Sequence, residues 1–247
     1  MKHTSLSALR KTLINADFVH IPDLVMLLPQ SVIDADNFRA HWDTLVLDEN
    51  FKSYTTRHRR ILRYHYTHPG TFVLNEDSKY VPTVTYDVDY KQGANKLTYA
   101  TQAFIVNPLM TAILKADLSI IDAHLEEGVE YMVDINLFRV SSFDGRLSPT
   151  TSGRHQDGQD WIFMHLIDTD NIEPVVSELA ITKEAVDSLF KKPMTKFLET
   201  LCVNDRKLWH AAGPVVQHKP EVPAKRDLLL VSVVRKDPTF LRENAIE

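Results

Sequence analysis

The sequence predicts a mainly β fold with helical cover, either an α+β domain or an all-β core with helices packed on it. Helical patterns dominate the first half of the chain, and strand patterns dominate from about residue 129 onward. Candidate ligand residues lie in loops between closely spaced strands, which suits a cupin-like jelly roll. The 247 residues suit one domain, with about 1–50 as a helical N-terminal part and about 51–240 as the β core with its supporting helices.

The elements of the first half are mostly helices. Val32, Ile33, Phe38 and Trp42 recur at helical spacing, and Pro108 occupies a first-turn position that suits proline. The pattern therefore predicts a short serine-capped helix at 5–15, a strand at 18–21, a helical segment at 30–48, a strand at 51–66 and a longer helix from 108 to about 125.

The elements of the second half are mostly strands. Runs rich in β-branched and aromatic residues alternate with turn-forming residues. We expect strands at 131–140, 160–168, 207–210 and 227–234, a turn at 204–205 and a short helix at 182–190. The segment 227–234 is the clearest candidate for a buried strand, because it is the most apolar of them.

Composition excludes several classes of protein. With 44% hydrophobic and 25% charged residues, the chain resembles an ordinary soluble globular protein. A net charge of −5 gives no electrostatic reason to expect a nucleic-acid partner, although residues 57–60 and Arg63 form one basic cluster. No apolar run suits a membrane span, and the first residues lack the apolar core of a signal peptide. The single Cys202, expected to be a buried hydrophobic side chain rather than a nucleophile, suits a cytoplasmic protein.

One of three His-x-acid triplets has the right setting for a metal site. About one or two such triplets are expected by chance, so a triplet alone is a weak signal. The triplets at 41–43 and 124–126 lie in predicted helices, where residues two apart point in nearly opposite directions. His155-Gln156-Asp157 instead lies between a polar loop and an apolar strand. Extended backbone there would put His155 and Asp157 on one face.

His210 and Arg226 complete a set with His155 and Asp157. That order is what a non-haem Fe(II) oxygenase requires, since two imidazoles and a carboxylate hold one face of the iron and leave positions for 2-oxoglutarate and O₂. The arginine then meets the far carboxylate of 2-oxoglutarate as a bidentate fork. Taken singly, each residue also fits an ordinary structural role. Their order and spacing together favour the iron site.

Two alternative sites are open to the sequence. His165 follows on the next predicted strand, so His155, His165 and His210 form a conceivable zinc site. That arrangement leaves no role for Asp157 or Arg226, which disfavours it. The chain has no Gly-x-Ser-x-Gly elbow and no phosphate-binding glycine loop, so a serine hydrolase or a nucleotide enzyme has little support.

These motifs carry a resemblance to a known family. His155-Gln156-Asp157-Gly158 with the following apolar strand resembles the bacterial Fe(II)/2-oxoglutarate dioxygenases that hydroxylate free aliphatic amino acids, the L-isoleucine 4-hydroxylase group. Trp209-His210-Ala211 with Pro214 is similar to that family, as is the segment 226–231, Arg-Asp-Leu-Leu-Leu-Val. Further patches are 57–66, 107–109 and 137–140. The likeness thus extends in patches over about residues 50–236.

The resemblance implies a double-stranded β-helix core in which His155, Asp157 and His210 bind Fe(II) and Arg226 binds 2-oxoglutarate. It also implies hydroxylation of an unactivated C–H bond of a free, aliphatic L-amino acid, with succinate and CO₂ as co-products. The family often has a Gly-Gly pair where this chain has the segment 173–178, Glu-Pro-Val-Val-Ser-Glu. That loop lies near the metal in the family, so the identity of the substrate stays open.

A free amino acid needs a cation for its carboxylate and acceptors for its ammonium group. Arg139, before the His-x-Asp motif, and Arg154, beside His155, are candidate cations, with further arginines at 57–63. Asp134 and Glu178 are candidate acceptors. Each of these residues also fits a surface or structural role.

The rival hypothesis is a non-catalytic, cupin-like module that binds a metal or small ligand in signalling or stress response. Turnover would separate it from the oxygenase. A plain interaction domain would bind no metal. The expected partner of the oxygenase is a small amino acid, and the oligomeric state is open, with a homodimer among the options.

Overall fold

The α-helices lie in the first half of the chain, as expected. The computed structural model describes residues 5–48, 56–77, 79–80, 95–143 and 153–236. Within these ranges the α-helices are α1 (Leu6–Ala16), α2 (Ala35–Ala40), α3 (Gln102–Ile105) and α4 (Pro108–Ile121). Short 3-10 helices span Leu24–Leu27, Gln30–Val32, His41–Thr44 and Asp122–His124. Ser5 caps α1 by accepting the backbone N–H of Ala8 at 3.2 Å.

Strands make up most of the remaining structure. In the first half they are β1 (Phe18–Ile21), β2 (Val46–Leu47), β3 (Thr56–Thr67), β4 (Thr71–Leu74), β5 (Lys79–Tyr80) and β6 (Asn95–Lys96). In the second half they are β7 (Glu130–Ser142), β8 (Trp161–Asp170), β9 (Val176–Ala180), β10 (Phe190–Pro193), β11 (Thr200–Asn204), β12 (Trp209–Ala212) and β13 (Ala224–Arg235).

The main sheet has eight antiparallel strands in the order β1-β11-β8-β13-β7-β3-β2, with β4 paired to β3. Successive residues of a strand face opposite sides of a sheet, so the burial pattern divides the sheet cleanly. On one side, Phe163, Leu229 and Val133 pack with the helices in the largest core cluster. On the other side, Ile162 and Leu166 form a second cluster. We call these the helix face and the inner face.

A second sheet, β10-β9-β12, covers the inner face. Leu179 of β9 and Phe190 of β10 belong to the same cluster as Ile162 and Leu201 of the main sheet, and Leu230 of β13 packs against it. Two antiparallel sheets packed through their inner faces form a jelly roll. The predicted mainly β fold with helical cover is therefore confirmed.

Most predicted elements occur close to their expected positions. The helices at 5–15 and 108–125 correspond to α1 and to α4 with the 3-10 turn after it. The strands at 18–21, 131–140, 160–168, 207–210 and 227–234 correspond to β1, β7, β8, β12 and β13. The strand expected at 51–66 is β3, although residues 51–55 lie outside the described part of the chain.

The expected helical segment at 30–48 is broken into shorter pieces. Two 3-10 turns flank α2, and Val46–Leu47 then forms the edge strand β2. The break has a local cause, since Asp34 caps α2 by accepting the backbone N–H of Asn37 at 3.1 Å and so starts a new helix there. Trp42 and Phe38 still reach the helix-face core, so the apolar spacing reflects burial rather than one continuous helix.

The helix expected at 182–190 is wrong. Residues 181–189 form turns and bends before β10 begins at Phe190. Arg154 reaches across from another loop and donates to the backbone carbonyls of Lys183 and Ala185. Those carbonyls bind a side chain from a distant segment, a tertiary contact that local helix propensity does not include.

No helix in the described ranges is long and apolar enough to cross a membrane. The N-terminal helix shares the main core, because Leu9 and Leu13 of α1 belong to the same cluster as Val133 of β7. The division of the chain near residue 50 stays a prediction.

Candidate metal centre

His155 and His210 are paired directly across two chain segments. The backbone N–H of His155 donates to the carbonyl of His210 at 3.0 Å, and that of His210 donates to the carbonyl of His155 at 3.0 Å. Directly opposed residues of an antiparallel pair project their side chains to the same side. The two imidazole ring centres consequently lie 4.3 Å apart.

Asp157 brings a carboxylate to both imidazoles. Its Oδ1 lies 3.5 Å from Nε2 of His155, and its Oδ2 lies 3.6 Å from Nε2 of His210. One ligand atom from each of the three residues lies within 4.8 Å of the others, and in the described part of the chain no other group of three or more His, Cys, Asp or Glu side chains does this. Two imidazole nitrogens and one carboxylate oxygen form a donor set that suits Fe(II).

The electrostatics of the cluster favour a cation between its members. Burial lowers the pKa of His155, and the neighbouring His210 lowers it further, so this ring is readily neutral and able to bind a metal. Burial alone would also lower the pKa of His210. The nearby carboxylates of Asp157 and Asp205 outweigh burial and raise that pKa to about 10. The carboxylates around His210 therefore attract positive charge to this position.

The His-x-Asp segment is fixed by its backbone and by the residue between the two ligands. Nδ1 of His155 lies 2.9 Å from the carbonyl of Gly153, which orients the ring with Nε2 toward Asp157. Nε2 of Gln156 donates to the carbonyl of Asp205 at 2.7 Å, tying the segment to the turn before β12. Gly158 follows with φ of 76°, a left-handed conformation that favours glycine.

His210 lies on the inner side of the smaller sheet. It is paired with Leu179 of β9, whose side chain belongs to the inner cluster. Ala212, two residues further along β12, packs in a third cluster with Ala224 and Val140 of the main sheet. The metal-ligand side of β12 therefore faces β13 and β7 across the interior of the jelly roll.

Arg226 extends into the same interior from the main sheet. Its neighbours at two-residue spacing on β13, Ala224 and Leu228, both pack on the inner side. The residue is only 2% exposed. It makes no hydrogen bond or ion pair with any residue that the structure describes, and its Nη1 is buried without a partner.

Burial of a guanidinium that has no partner among the described residues is unfavourable, and this is seen in the pKa of Arg226. Desolvation lowers the pKa of Arg226 to about 10, with no neighbouring carboxylate to oppose it. The group nonetheless stays charged at neutral pH. Such a cation needs an anion, and the side on which it faces is that of the His155–Asp157–His210 cluster.

The two candidate substrate cations, Arg139 and Arg154, are not brought to this interior, which corrects the sequence expectation. Arg139 lies on the helix face, where it donates to Asp227 at 2.7 and 2.8 Å and to Asp43 at 3.0 Å. Arg154 binds Glu178, whose position next to Leu179 on β9 directs it outward. Protein carboxylates already hold both guanidinium groups.

Glu178 is likewise not available as an acceptor for an ammonium group in the interior. Besides Arg154 it accepts a hydrogen bond from the hydroxyl of Ser188 at 2.6 Å. These donors lower its pKa, with the hydrogen bond from Arg154 as the largest cause.

The alternative zinc site with His165 is wrong. His165 lies on the helix face of β8, next in alternation to Phe163, and is fully buried. Its Nε2 contacts Asp117 of α4 at 3.0 Å, and its Nδ1 contacts the hydroxyl of Thr200 at 2.8 Å. The main sheet itself separates this ring from His155 and His210.

Sequence reasoning missed Asp205 and the role of Gln156. The sequence places Asp205 only in a turn, yet its carboxylate lies 3.3 Å from Nδ1 of His210. A buried acid five residues before a candidate histidine ligand, at a tight turn between two strands, is a signal that could have indicated it. Gln156 lies between the two ligands rather than among them, so the sequence pattern gives it no role.

A row of polar residues continues along the inner face beyond Arg226. Arg57, Arg59 and Arg63 of β3 share the face of Asp134, Asn136 and Phe138 of β7, which in turn lie opposite Ser232, Leu230 and Leu228 of β13. Several of these residues are individual candidates for substrate binding in the sequence. Their common face became apparent only from the strand register.

Comparison with known proteins adds the family. A family model described as 2OG-Fe dioxygenase matches residues 39–232 of the chain. That range contains all four residues His155, Asp157, His210 and Arg226. No curated protein matches the chain in sequence.

Several solved structures share the fold. IDO from Bacillus thuringiensis superimposes with a TM-score of 0.78 at 19% identity, covering 96% of this chain and 99% of that one. A bsmA homolog from Methylobium petroleophilum PM1 gives 0.80 at 18% identity, covering 94% and 93%. The Fe(II)/α-ketoglutarate-dependent dioxygenase TqaL gives 0.69 at 15% identity, covering 93% and 86%. At these identities the likeness is one of fold.

Proposed function

This chain belongs to the 2OG-Fe dioxygenase family, and from that premise we propose that it hydroxylates an unactivated C–H bond of a free L-amino acid, with His155, Asp157 and His210 as the iron ligands and Arg226 as the 2-oxoglutarate anchor. The family uses Fe(II), 2-oxoglutarate and O₂. When bound, these supply the oxidation: one oxygen atom of O₂ enters the substrate and the other enters succinate, while 2-oxoglutarate loses CO₂.

The observation that carries the proposal is that the three-ligand cluster and the buried guanidinium of Arg226 face the same interior. The cluster offers two nitrogens and one carboxylate oxygen within 4.8 Å. Arg226 faces the same interior and has no partner in the described residues. A dicarboxylate that reaches the metal with its keto-acid end would present its far carboxylate to this guanidinium, which can donate two parallel N–H···O bonds.

The residues of the chain have separate tasks in this proposal. His155 and His210 donate nitrogen lone pairs, and Asp157 supplies one negative charge that partly balances the metal. Arg226 holds the cosubstrate at a fixed distance from the metal. The apolar residues of the inner cluster, including Leu230 and Ile162, exclude water, which strengthens each electrostatic contact.

Two observations support a free amino acid as the substrate. The first is the resemblance of the motif His155-Gln156-Asp157-Gly158 and the segment 226–231 to amino-acid hydroxylases. The second is the row of polar residues on the inner face, in which Arg63 and Asp134 already pair with each other and Arg59 is a further buried cation. Arg63 donates to Asp134 at 2.6 and 2.7 Å, and both residues are buried.

Arg59 is the cation in that row that we assign to the substrate carboxylate. It donates to Oδ1 of Asn136 at 3.1 and 2.7 Å, lies over the ring of Phe138 at 4.8 Å from its centre, and has its Nη1 4.0 Å from Oδ2 of Asp48. These contacts hold the guanidinium rigid, which lowers the entropy lost on binding. Asn136 lies opposite Leu230 of the inner cluster, so Arg59 is near the interior rather than at the outer edge of the barrel.

The test of the activity is turnover. The full chain, purified anaerobically, is supplied with Fe(II), ascorbate and 2-oxoglutarate, and each standard amino acid is added in turn. We expect one amino acid to yield a product heavier by one oxygen atom, with succinate in equal amount, and no product from Asp157→Ala. Binding of iron and 2-oxoglutarate without any product would instead support the non-catalytic metal-binding module.

The test of Arg59 separates substrate from cosubstrate. Arg59→Gln should raise the KM for the amino acid about 10–100-fold, because a charge-assisted hydrogen bond contributes about 1.5–3 kcal/mol. The KM for 2-oxoglutarate should stay unchanged. Arg60→Gln is the matched control, since Arg60 lies on the other face and donates to the carbonyls of Thr44 and Tyr99. A rise in both KM values for Arg59→Gln would contradict the assignment.

A further inference from the structure

Asp205 is a fully buried acid in the turn between β11 and β12, five residues before His210. Its Oδ2 accepts the backbone N–H of Gln159 at 2.9 Å, and its own backbone N–H donates to the carbonyl of Asp160 at 3.2 Å. Its carbonyl accepts Nε2 of Gln156 at 2.7 Å. One turn therefore holds both the His-x-Asp segment and the start of the strand that carries His210.

The remaining oxygen of Asp205 faces a ligand. Oδ1 lies 3.3 Å from Nδ1 of His210, and the two side chains are 0% and 8% exposed. Neither atom has an aligned hydrogen-bond partner among the described residues. At 3.3 Å the two atoms are close enough for a hydrogen bond once donor and acceptor are aligned.

The two ring nitrogens of His210 face different carboxylates. Nε2 faces Asp157 at 3.6 Å, on the side of the ligand cluster, and Nδ1 faces Asp205. A neutral imidazole that binds a metal through one nitrogen carries its proton on the other. A carboxylate that accepts this proton fixes the tautomer and the ring plane, and it makes the metal-binding nitrogen a stronger donor.

We propose that Asp205 is a positioning residue that sets His210 to bind the metal through Nε2. The inference rests on the proposed metal site. The two histidines would then be oriented by different groups, since Nδ1 of His155 contacts the backbone carbonyl of Gly153 at 2.9 Å. The recorded contact between the carboxylate of Asp205 and a ligand side chain is the one with Nδ1 of His210 at 3.3 Å, and its charge also opposes the lowering of the pKa of His155 that burial causes.

The test uses Co(II) with the full chain, measured by calorimetry and by the visible absorption of the bound ion. Asp205→Asn keeps the size of the side chain and an oxygen acceptor but removes the charge, whereas Asp205→Ala removes both. We expect Co(II) affinity to fall in the order wild type, Asp205→Asn, Asp205→Ala, with a total loss of about 10–100-fold. The absorption spectrum of bound Co(II) should shift in Asp205→Ala, because the coordination geometry changes.

Asp160→Asn is the matched control. Asp160 lies in the same region and accepts hydrogen bonds from the backbone N–H of Arg235 at 2.6 Å and from Nε of Arg206 at 3.0 Å, but it does not contact His210. Its Co(II) affinity and spectrum should equal those of the wild type. Equal affinity and an unchanged spectrum in both Asp205 variants would overturn the proposal, while leaving the metal site itself intact.

A measurement on the wild type removes any dependence on how the variants fold. In the Zn(II)-loaded protein labelled with ¹⁵N-histidine, the ring of His210 should carry its proton on Nδ1 and the metal on Nε2. A metal on Nδ1 would overturn the positioning role. Failure of the wild type to bind either metal would overturn the metal site and this inference together.

Discussion

Arg226 and Asp227 are adjacent on β13, yet their charges lie on opposite sides of the main sheet. Asp227 faces the helices, where Arg139 donates to both of its oxygens at 2.7 and 2.8 Å. Arg226 faces the interior and has no partner among the described residues. One strand thus carries a matched structural ion pair on one face and an unmatched cation on the other, and the two residues should respond to substitution in opposite ways.

Arg226→Met should reduce the stabilisation by 2-oxoglutarate without weakening the protein. Because the guanidinium is buried with no partner among the described residues, its removal should leave the free energy of unfolding without cosubstrate unchanged or higher. In the wild type, 2-oxoglutarate at 100 times its Kd should add about 2.7 kcal/mol. In the variant its Kd should rise about 10–100-fold. Denaturant unfolding with and without 2-oxoglutarate measures both quantities.

Arg235→Met on the same strand is the control for this prediction. Arg235 is exposed and pairs with Glu126 at 2.7 Å, so its loss should not change the response to 2-oxoglutarate. An Arg226→Met protein that still gains stability from 2-oxoglutarate as the wild type does would refute the assignment.

Asp227→Ala should destabilise the fold strongly. It leaves the Arg139 guanidinium half-buried with only the exposed Asp43 as a charge partner, and breaking a buried pair in this way costs about 3–5 kcal/mol. The double variant Arg139→Met, Asp227→Leu should recover much of that loss, because two apolar groups replace the pair. Urea unfolding of the wild type, Arg139→Met, Asp227→Leu and the double variant gives the coupling free energy of the two side chains.

Asp36→Ala provides the comparison for the ion pair. Asp36 pairs with Arg39 at 3.2 Å but its side chain is 98% exposed, so its loss should change the free energy of unfolding by less than about 1 kcal/mol. If Asp227→Ala lowered the free energy of unfolding as little as Asp36→Ala does, the pair with Arg139 would not stabilise the fold.

Asp157→Ala should remove metal binding while the fold persists. The carboxylate contacts both imidazoles but belongs to no core cluster. Loss of a direct ligand should lower Co(II) affinity by more than the about 10–100-fold typical of an outer partner. Calorimetry gives the affinity, and the metal-induced rise in Tm should vanish with it. Asp170→Ala, at the exposed end of β8, should bind Co(II) as the wild type does.

Glu178 should make the stability of the loop before β10 sensitive to acid. Its pKa lies below its usual value because Arg154 and Ser188 donate hydrogen bonds to it. A carboxyl whose pKa is lowered by folding contributes its full stability above the pKa of the unfolded state, and that stability is lost as pH falls through the lower folded pKa. The partly exposed pair should contribute at most about 1 kcal/mol.

The measurement is the free energy of unfolding against pH for the wild type and Glu178→Gln. The difference between them should be largest near neutral pH and should disappear in acid. Glu184→Gln, an exposed residue of the same loop, should track the wild type throughout. A difference between wild type and Glu178→Gln that grew toward low pH would contradict the sign of the effect.

The sequence predicted the ligand cluster more completely than the surroundings of that cluster. His155, Asp157 and His210 meet as expected, because an extended His-x-Asp segment and an antiparallel partner leave little freedom for the three side chains. Arg139 and Arg154 were expected near a substrate and instead bind Asp227 and Glu178. An arginine has the same appearance in a sequence whether its partner is a ligand or a distant carboxylate.

The same distinction explains why residues 182–190 do not form the expected helix. Its residues have ordinary helical spacing, but Arg154 from the metal-binding loop takes two of the backbone carbonyls there. Asp205 shows the converse case, since its place in a turn five residues before His210 is visible in the sequence, but the contact of its carboxylate with Nδ1 is not. The contact exists because β12 turns back immediately after that acid.

The sequence alone determined the mainly β class, the position of most strands and the residues of the ligand cluster, because these depend on period-two burial and on local backbone geometry. Only the tertiary structure decided which face each charged side chain occupies and which partner it meets. A shift of one residue along a strand exchanges the two faces. For this reason Arg226 faces the interior unmatched while Asp227, its neighbour, is neutralised among the helices.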